Sequence, residues 1–106
     1  MEGKKYKLRY LPLFEIDLRE AAEYIANVLD SPDAAMRLID SAEKAILLER
    51  LNCPEAFEKY NSAKKRKYPY YRIKVGNYII FYVVIDDIME VRRFIYGARD
   101  INKLLK

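Results

Sequence analysis

The chain has 106 residues, of which 52% are hydrophobic and 34% charged, a composition typical of one globular domain spanning residues 1–106. It contains no histidine and a single cysteine, which excludes histidine-based zinc motifs, Ser-His-Asp and Cys-His nucleophiles, and internal disulfides. Any acid–base chemistry must use Lys, Arg, Tyr or a carboxylate, and we expect neither a metal nor a cofactor.

The charge is unevenly distributed along the chain. Residues 1–60 carry nine Lys and Arg against twelve Asp and Glu, a balance of −3, whereas residues 61–106 carry eleven against four, a balance of +7. This asymmetry predicts a basic surface that contacts a polyanion, an acidic protein, or each in turn.

The longest apolar run is short for a membrane protein. It extends from Tyr78 to Ile85, far below the roughly 20 residues that a membrane helix requires. The first residues are polar and do not resemble a signal peptide. We therefore expect a cytoplasmic protein without a membrane partner.

The N-terminal half of the sequence predicts a strand followed by a helical hairpin. Alternating residues from Tyr6 to Leu11 indicate the strand, and apolar residues at helical spacing indicate a helix from about Leu13 to Leu29. The polar residues of this helix that should face water are Asp17, Glu20, Glu23 and Asn27. A second helix should begin at Pro32 with Ser31 as its N-cap. We expect the two helices to cover one face of a sheet.

A basic run ends the long connection from Leu51 to Pro69. Lys64, Lys65, Arg66 and Lys67 are consecutive and precede an aromatic group. Such a run is often only a solvated loop, but its position beside strand-borne cations also favours contact with nucleic acid.

Residues Tyr70 to Asp100 predict a three-strand meander with two-residue turns at Gly76-Asn77 and Asp86-Asp87. The first turn pairs Tyr71 with Tyr82 and places alternate residues on opposite faces of the sheet. One face belongs to the helices. The other carries Arg72, Lys74, Ile79, Phe81, Val83 and Ile85.

The second turn extends this open face onto the third strand. With two turn residues, Phe81 pairs with Arg92 and Ile79 with Phe94, whereas a shift of one residue would place Arg93 there instead. A monomer rarely leaves so much apolar surface bare, so we expect a partner to cover part of the face. The alternative is that residues 98–106 fold back over it.

The chain resembles the RelE/ParE-type toxins of bacterial type II toxin–antitoxin systems. The resemblance covers nearly the whole length and depends most on three segments, 71–75 (YRIKV), 77–82 (NYIIFY) and 93–100 (RFIYGARD). It implies an α+β fold with an N-terminal strand and an αα-hairpin packed on one face of an antiparallel meander sheet. It also implies a cognate acidic antitoxin that wraps the toxin.

The resemblance implies two activities within the family. The RelE branch cleaves mRNA on the ribosome with basic residues and without a metal, whereas the ParE branch inhibits DNA gyrase. Arg72, Lys74 and Arg99 match basic positions of the cleaving members, and Tyr96 stands where many members have histidine. The arginine that cleaving members carry on the third strand is Ile79 here.

Three functions therefore remain open: a ribosome-dependent endoribonuclease, a gyrase inhibitor, and a non-toxic ligand of the antitoxin. The sequence assigns residues to three roles in this scheme. The catalytic candidates are Arg72, Lys74, Arg99 and Tyr96. The RNA-binding candidates are Lys64, Lys65, Arg66, Lys67, Arg92 and Arg93. The antitoxin-binding candidates are Ile79, Phe81, Val83 and Phe94.

Overall fold

The computed structural model describes residues 5–60 and 66–105. The described chain forms β1 (Lys7–Tyr10), α1 (Pro12–Glu23), α2 (Pro32–Lys44), β2 (Tyr71–Val75), β3 (Tyr78–Ile85), β4 (Ile88–Tyr96) and α3 (Ile101–Leu104). Wider π-helical turns continue α1 through Tyr24–Val28 and α2 through Ala45–Arg50. Within the described ranges, no helix combines the length and apolar character needed to cross a membrane.

The four strands form one sheet in the order β1-β4-β3-β2. The last three strands pair antiparallel as a meander, and β1 lies parallel to β4 at one edge. Both long helices lie on the same face of the sheet, where Phe14 and Ile46 join the buried residues of the strands. The predicted α+β architecture is confirmed.

The connection between the helices follows the sequence pattern in part. Ser31 is the N-cap residue of α2 and Pro32 is its first residue, as predicted, but the Ser31 side chain makes no capping hydrogen bond. Asp30 adopts a φ of 52°, which reverses the chain between the helices. The cap thus depends on backbone geometry and the fixed φ of Pro32.

The register between β2 and β3 is the one that the Gly76-Asn77 turn predicts. Gly76 has a φ of 58°, and all five residues of β2 pair with the expected residues of β3. Tyr71, Ile73 and Val75 are buried against the helices, so Arg72 and Lys74 stand exposed on the other face.

The two-residue-turn register between β3 and β4 is wrong from Phe81 onward, where the alternative that places Arg93 opposite Phe81 is observed. The turn at Asp86-Asp87 does have two residues, but a β-bulge leaves Arg92 without a paired residue on β3 and pairs Phe81 with Arg93. A single extra residue reverses the face of every side chain that follows it. Phe94 therefore pairs with Ile80 and packs on the helix side, while Ile95 takes the position expected for Phe94.

The centre of the face opposite the helices is covered by the chain itself. Phe81 and Val83 have no exposed surface, because Tyr70 and the C-terminal residues around α3 pack over them. The alternative of a folded-back C-terminal segment is confirmed, and Phe81 and Val83 need no partner to cover them in this structure. Ile101, Leu104 and Leu105 supply the covering surface, since they lie on one side of a helical turn.

Candidate functional site

An open cleft lies at the turn end of the β2–β3 hairpin. It has a volume of about 690 Å³. We call it the cation cleft, because three of its side chains are basic. The lining residues are Arg50, Arg72, Lys74, Asn77, Tyr78, Ile79, Tyr96, Gly97 and Ala98.

Arg72 and Lys74 reach the cleft because they alternate with buried residues along β2. Both side chains are exposed, and the Arg72 guanidinium lies 5.5 Å from the centre of the Tyr60 ring, a cation–π distance. Among the described residues, no carboxylate lies within 4.0 Å of either cation. Their charge is therefore available to an anionic ligand.

Tyr96 and Tyr78 form an aromatic wall of the cleft. The Tyr96 ring is 46% exposed and meets Tyr78 edge to face at 5.5 Å, while Tyr78 stacks on Phe94 at 4.8 Å. Burial raises the pKa of the Tyr78 hydroxyl, and the nearby hydroxyls of Tyr96 and Tyr24 raise it further. Phe94 therefore supports the Tyr78 ring from the protein side, and the exposed Tyr96 ring lines the open cleft.

The end of β4 is tied to the hairpin turn. The Gly97 N–H donates a hydrogen bond of 2.8 Å to the Asn77 carbonyl, and a Cβ at position 97 would lie only 3.2 Å from that oxygen. Glycine permits this close approach of two backbones. The contact holds the Tyr96 side of the cleft against the β2–β3 hairpin.

Arg50 is a cleft residue that the sequence analysis did not identify. It ends the helical segment after α2, and its guanidinium carbon lies 3.6 Å from the centre of the Phe57 ring. In the sequence it only follows the apolar residues of the second helix, which does not distinguish this half-buried arginine from the exposed ones.

Arg99 does not line the cation cleft. It lines a neighbouring hollow of about 200 Å³ together with Asp17, Glu20 and Arg93. Tyr96 lines both spaces and so lies between Arg99 and the cleft cations. The structure brings three of the four catalytic candidates into one cleft and places the fourth next to it.

Arg93 is engaged inside the protein. Its guanidinium donates to both carboxylate oxygens of Asp17, at 2.7 and 3.1 Å, and to the Leu104 carbonyl at 2.9 Å. Asp17 also accepts the Phe94 N–H at 3.0 Å. The expectation that Asp17 faces water is wrong, because the carboxylate is needed to pair Arg93 at the edge of the core.

Arg92 is also paired, in a group centred on a buried carboxylate. Glu90 accepts hydrogen bonds from Arg9 and Arg92, the latter at 2.7 Å. Burial alone would raise the Glu90 pKa, but the two guanidinium groups outweigh it and hold the pKa below its ordinary value. Burial would lower the Arg92 pKa, but hydrogen bonds with Tyr70 and Glu90 raise it overall.

Two members of the basic run can be placed. Arg66 donates a 2.9 Å hydrogen bond to the Leu105 carbonyl and lies 4.9 Å from the Tyr70 ring centre. Lys67 is exposed and its amine lies 5.5 Å from the Tyr68 ring centre. Lys64 and Lys65 lie outside the described residues.

Most of the antitoxin-binding candidates are not on the surface. Phe81 and Val83 are covered by the C-terminal segment, and Phe94 is buried on the helix side. Ile79 is half-buried and lines the cation cleft. Of this set, only Ile79 offers surface to a partner in this conformation.

The described parts of the chain contain no group of three or more Asp, Glu or Cys side chains placed to hold a metal ion. The side chains that line the cation cleft carry guanidinium, ammonium and phenol groups, together with the Asn77 amide. Such groups bind phosphate, stabilise negative charge that develops in a reaction, and exchange protons through Lys and Tyr.

Solved structures share the fold at low sequence identity. The E. coli DinJ-YafQ complex matches with a TM-score of 0.53 at 15% sequence identity, covering 89% of this chain and 96% of that one. YafQ from E. coli strain BL21(DE3) matches with a TM-score of 0.52 at 16% identity, covering 96% of this chain and 100% of that one. The archaeal RelE-RelB complex from Pyrococcus horikoshii OT3 matches with a TM-score of 0.52 at 18% identity, covering 90% of this chain and 98% of that one.

A search of curated proteins finds no relative of significant similarity. A family model does match. It describes the ParE toxin of the type II toxin–antitoxin system parDE, and it covers residues 8–101, nearly the whole chain. The chain therefore belongs to the ParE toxin family and is a RelE/ParE-type toxin of a type II toxin–antitoxin system.

Proposed function

We propose that this toxin arrests growth by cleaving mRNA on the ribosome, with the scissile phosphate in the cation cleft. The observation that carries the proposal is the exposed pair Arg72 and Lys74, without a carboxylate partner among the described residues, beside Tyr96 in one open cleft. A phosphodiester is the anion that such a cleft suits, because the cations neutralise its charge and the aromatic ring can stack on a base.

The proposed reaction uses the ribose as its own nucleophile. The 2′-oxygen attacks the adjacent phosphorus, the bond from phosphorus to the 5′-oxygen breaks, and a cyclic phosphate and a 5′-hydroxyl result. Water takes up the proton of the 2′-hydroxyl, Tyr96 donates a proton to the departing 5′-oxygen and regains one from water, and Arg72 and the Lys74 ammonium stabilise the charge on the phosphate.

The remaining basic candidates act around this centre in the proposal. Arg99, in the hollow beyond Tyr96, would hold the next phosphate of the mRNA. Lys64, Lys65, Arg66 and Lys67 would contact ribosomal RNA. Arg92 and Arg93 are already paired with carboxylates, so we assign them a lesser share of RNA binding. The action is proposed for the cytoplasm, where ribosomes are found.

Cell-free translation of a defined mRNA tests this function. The wild-type protein should give new 5′ ends within the coding region, mapped by primer extension, and only when ribosomes are present. The double variant Arg72→Ala/Lys74→Ala should give none. Arg37→Ala is the matched control, because it removes an exposed arginine from α2 and should cleave normally.

A second candidate function is inhibition of DNA gyrase without any cleavage. The family description names ParE, and Ile79 makes part of the cleft apolar where cleaving members carry an arginine. In that case the wild-type protein halts supercoiling of a relaxed plasmid by gyrase and leaves the mRNA intact. A protein that does neither is a non-toxic ligand of the antitoxin.

We also propose an acidic antitoxin as the partner. The structural relatives include two toxin–antitoxin pairs, and the exposed cations of the cleft would attract an acidic segment. Ile79 is the remaining apolar contact, because Phe81, Val83 and Phe94 are buried. Co-expression with an acidic reading frame adjacent to the gene should restore growth, and Arg72→Ala/Lys74→Ala should weaken the complex.

A further inference from the structure

Arg50 is held in place from two sides. Its guanidinium stacks on Phe57, with 3.6 Å between the guanidinium carbon and the ring centre, and its Nη1 donates a 3.0 Å hydrogen bond to the Tyr82 hydroxyl. That hydroxyl in turn donates to the Pro54 carbonyl at 2.7 Å, and both Tyr82 and Pro54 are fully buried. The guanidinium is thus anchored on the core rather than free in solvent.

The charge of Arg50 is not neutralised by this anchor. It contacts a neutral hydroxyl and an aromatic ring, and no carboxylate of the described residues lies within 4.0 Å of it. A guanidinium has five N–H donors, so most of its donors remain for a ligand in the cleft that it lines. Arg93, in contrast, is paired with the Asp17 carboxylate.

Arg50 enters the cleft from a different direction than the β2 cations. It contacts Tyr82, whose side chain lies on the helix side of the sheet, whereas Arg72 and Lys74 stand on the opposite face. The cleft thus presents cations from both faces at the edge strand β2. A ligand that meets all three must cross this edge, which a chain with several phosphates can do.

We propose that Arg50 binds a second phosphate of the ligand, so that the cation cleft is selective for a single-stranded polynucleotide over a ligand with one phosphate. The inference builds on the proposed RNA-cleaving function and names a further binding residue. Because the guanidinium is already immobilised, little side-chain entropy is lost when it binds the phosphate.

Fluorescence anisotropy with a labelled oligouridylate of eight nucleotides tests the proposal. Arg50→Gln should weaken binding and make the dependence of log K on log salt concentration less steep. The magnitude of the negative slope should fall by about 0.7, the value for one phosphate contact of a single strand. The dinucleotide UpU, which has one phosphate, should compete equally well against both proteins. Arg37→Gln removes an equal charge from the exposed surface of α2 and should leave the slope unchanged.

Arg50→Lys separates binding from folding. It keeps the charge but loses the planar stack, so it should keep the wild-type salt slope and bind the octamer more weakly. Weaker binding of Arg50→Gln with an unchanged salt slope would overturn the proposal, since that result assigns Arg50 to support of residues 51–57 alone. If Arg50→Gln lowers the affinity for UpU by the same factor as the affinity for the octamer, the proposed binding of a second phosphate is also overturned.

Arg72→Gln distinguishes failure of this inference from failure of the proposed function. If Arg72→Gln lowers the salt slope and Arg50→Gln does not, the cleft binds RNA and only the role of Arg50 is wrong. If neither variant changes binding of the octamer, the RNA-binding function of the cleft is itself wrong.

Discussion

Five arginines of this protein form two groups with different surroundings. Arg9, Arg92 and Arg93 are paired with Glu90 or Asp17, and their carboxylates are buried or nearly so. Arg50 and Arg72 line the cation cleft with Lys74, and none of these three has a carboxylate partner among the described residues. We call the first group the paired arginines.

The presence or absence of a carboxylate partner separates cations that stabilise the fold from cations that are available to bind a ligand. A partly buried guanidinium needs a counter-charge and fixed acceptors, which Asp17 and Glu90 supply. A cation kept for a phosphate must lack such a partner, because an internal carboxylate would compete with the ligand. Side-chain exposure alone does not distinguish the two groups, because Arg9 is exposed and is nevertheless paired with Glu90.

The largest expected effect on stability is at Asp17. Asp17→Ala removes both hydrogen bonds to Arg93 and the acceptor of the Phe94 N–H, and so leaves a partly buried charge without its partner. We expect the free energy of unfolding to fall by about 3 kcal/mol, measured by urea denaturation. Arg72→Ala should change it by less than about 0.5 kcal/mol, because that side chain is exposed.

Glu23→Ala is the control for loss of a carboxylate on α1. Because Glu23 is exposed, this substitution should change the free energy of unfolding little. If Asp17→Ala costs no more than Glu23→Ala, the pairing of Arg93 contributes nothing to the fold. The division of the arginines into two groups would then lose its energetic basis.

Glu90 should give the paired arginines a pH dependence that the cation cleft lacks. Its folded-state pKa is lowered, so the stability it contributes is present above its ordinary pKa of 4.5 and is lost as the pH falls through the folded-state value. Glu90→Gln should cost roughly 1–3 kcal/mol at pH 7, because Arg9 and Arg92 lose their charged acceptor.

Urea midpoints measured from pH 7 down to pH 3 check this prediction. The difference between wild type and Glu90→Gln should be constant above pH 5 and shrink below it. Arg72→Ala should follow the wild-type curve at every pH. A difference that stays constant through the acid range would contradict the lowered pKa of Glu90.

The sequence predicts the architecture because local patterns determine it. Alternation and the Gly76-Asn77 turn give the β2–β3 register, and that register exposes Arg72 and Lys74 on one face. The α+β fold follows from the order of the elements. The catalytic candidates Arg72, Lys74 and Tyr96 then meet in one cleft because the meander brings the ends of its strands together.

The errors arise where one residue or a distant contact decides the outcome. No turn signal marks the bulge at Arg92, and this bulge alone moves Phe94 to the helix side. Asp17 looks like a water-facing helix residue until Arg93 is placed opposite it. Arg50 is positioned by contacts with Phe57 and Tyr82, and Tyr82 lies 32 residues further along the chain.

The smallest expected effect concerns the hairpin turn that supports the cation cleft. Gly76 has a φ of 58°, and a Cβ there would meet open space, so only the backbone conformation opposes a side chain. Gly76→Ala should lower the free energy of unfolding by about 1 kcal/mol, and Gly76→Asn by less, because asparagine tolerates this conformation. Both should keep the salt slope of RNA binding, since neither removes a cation. A lower slope in Gly76→Ala, measured with the same labelled octamer, would mean that the turn itself positions Lys74 for the phosphate.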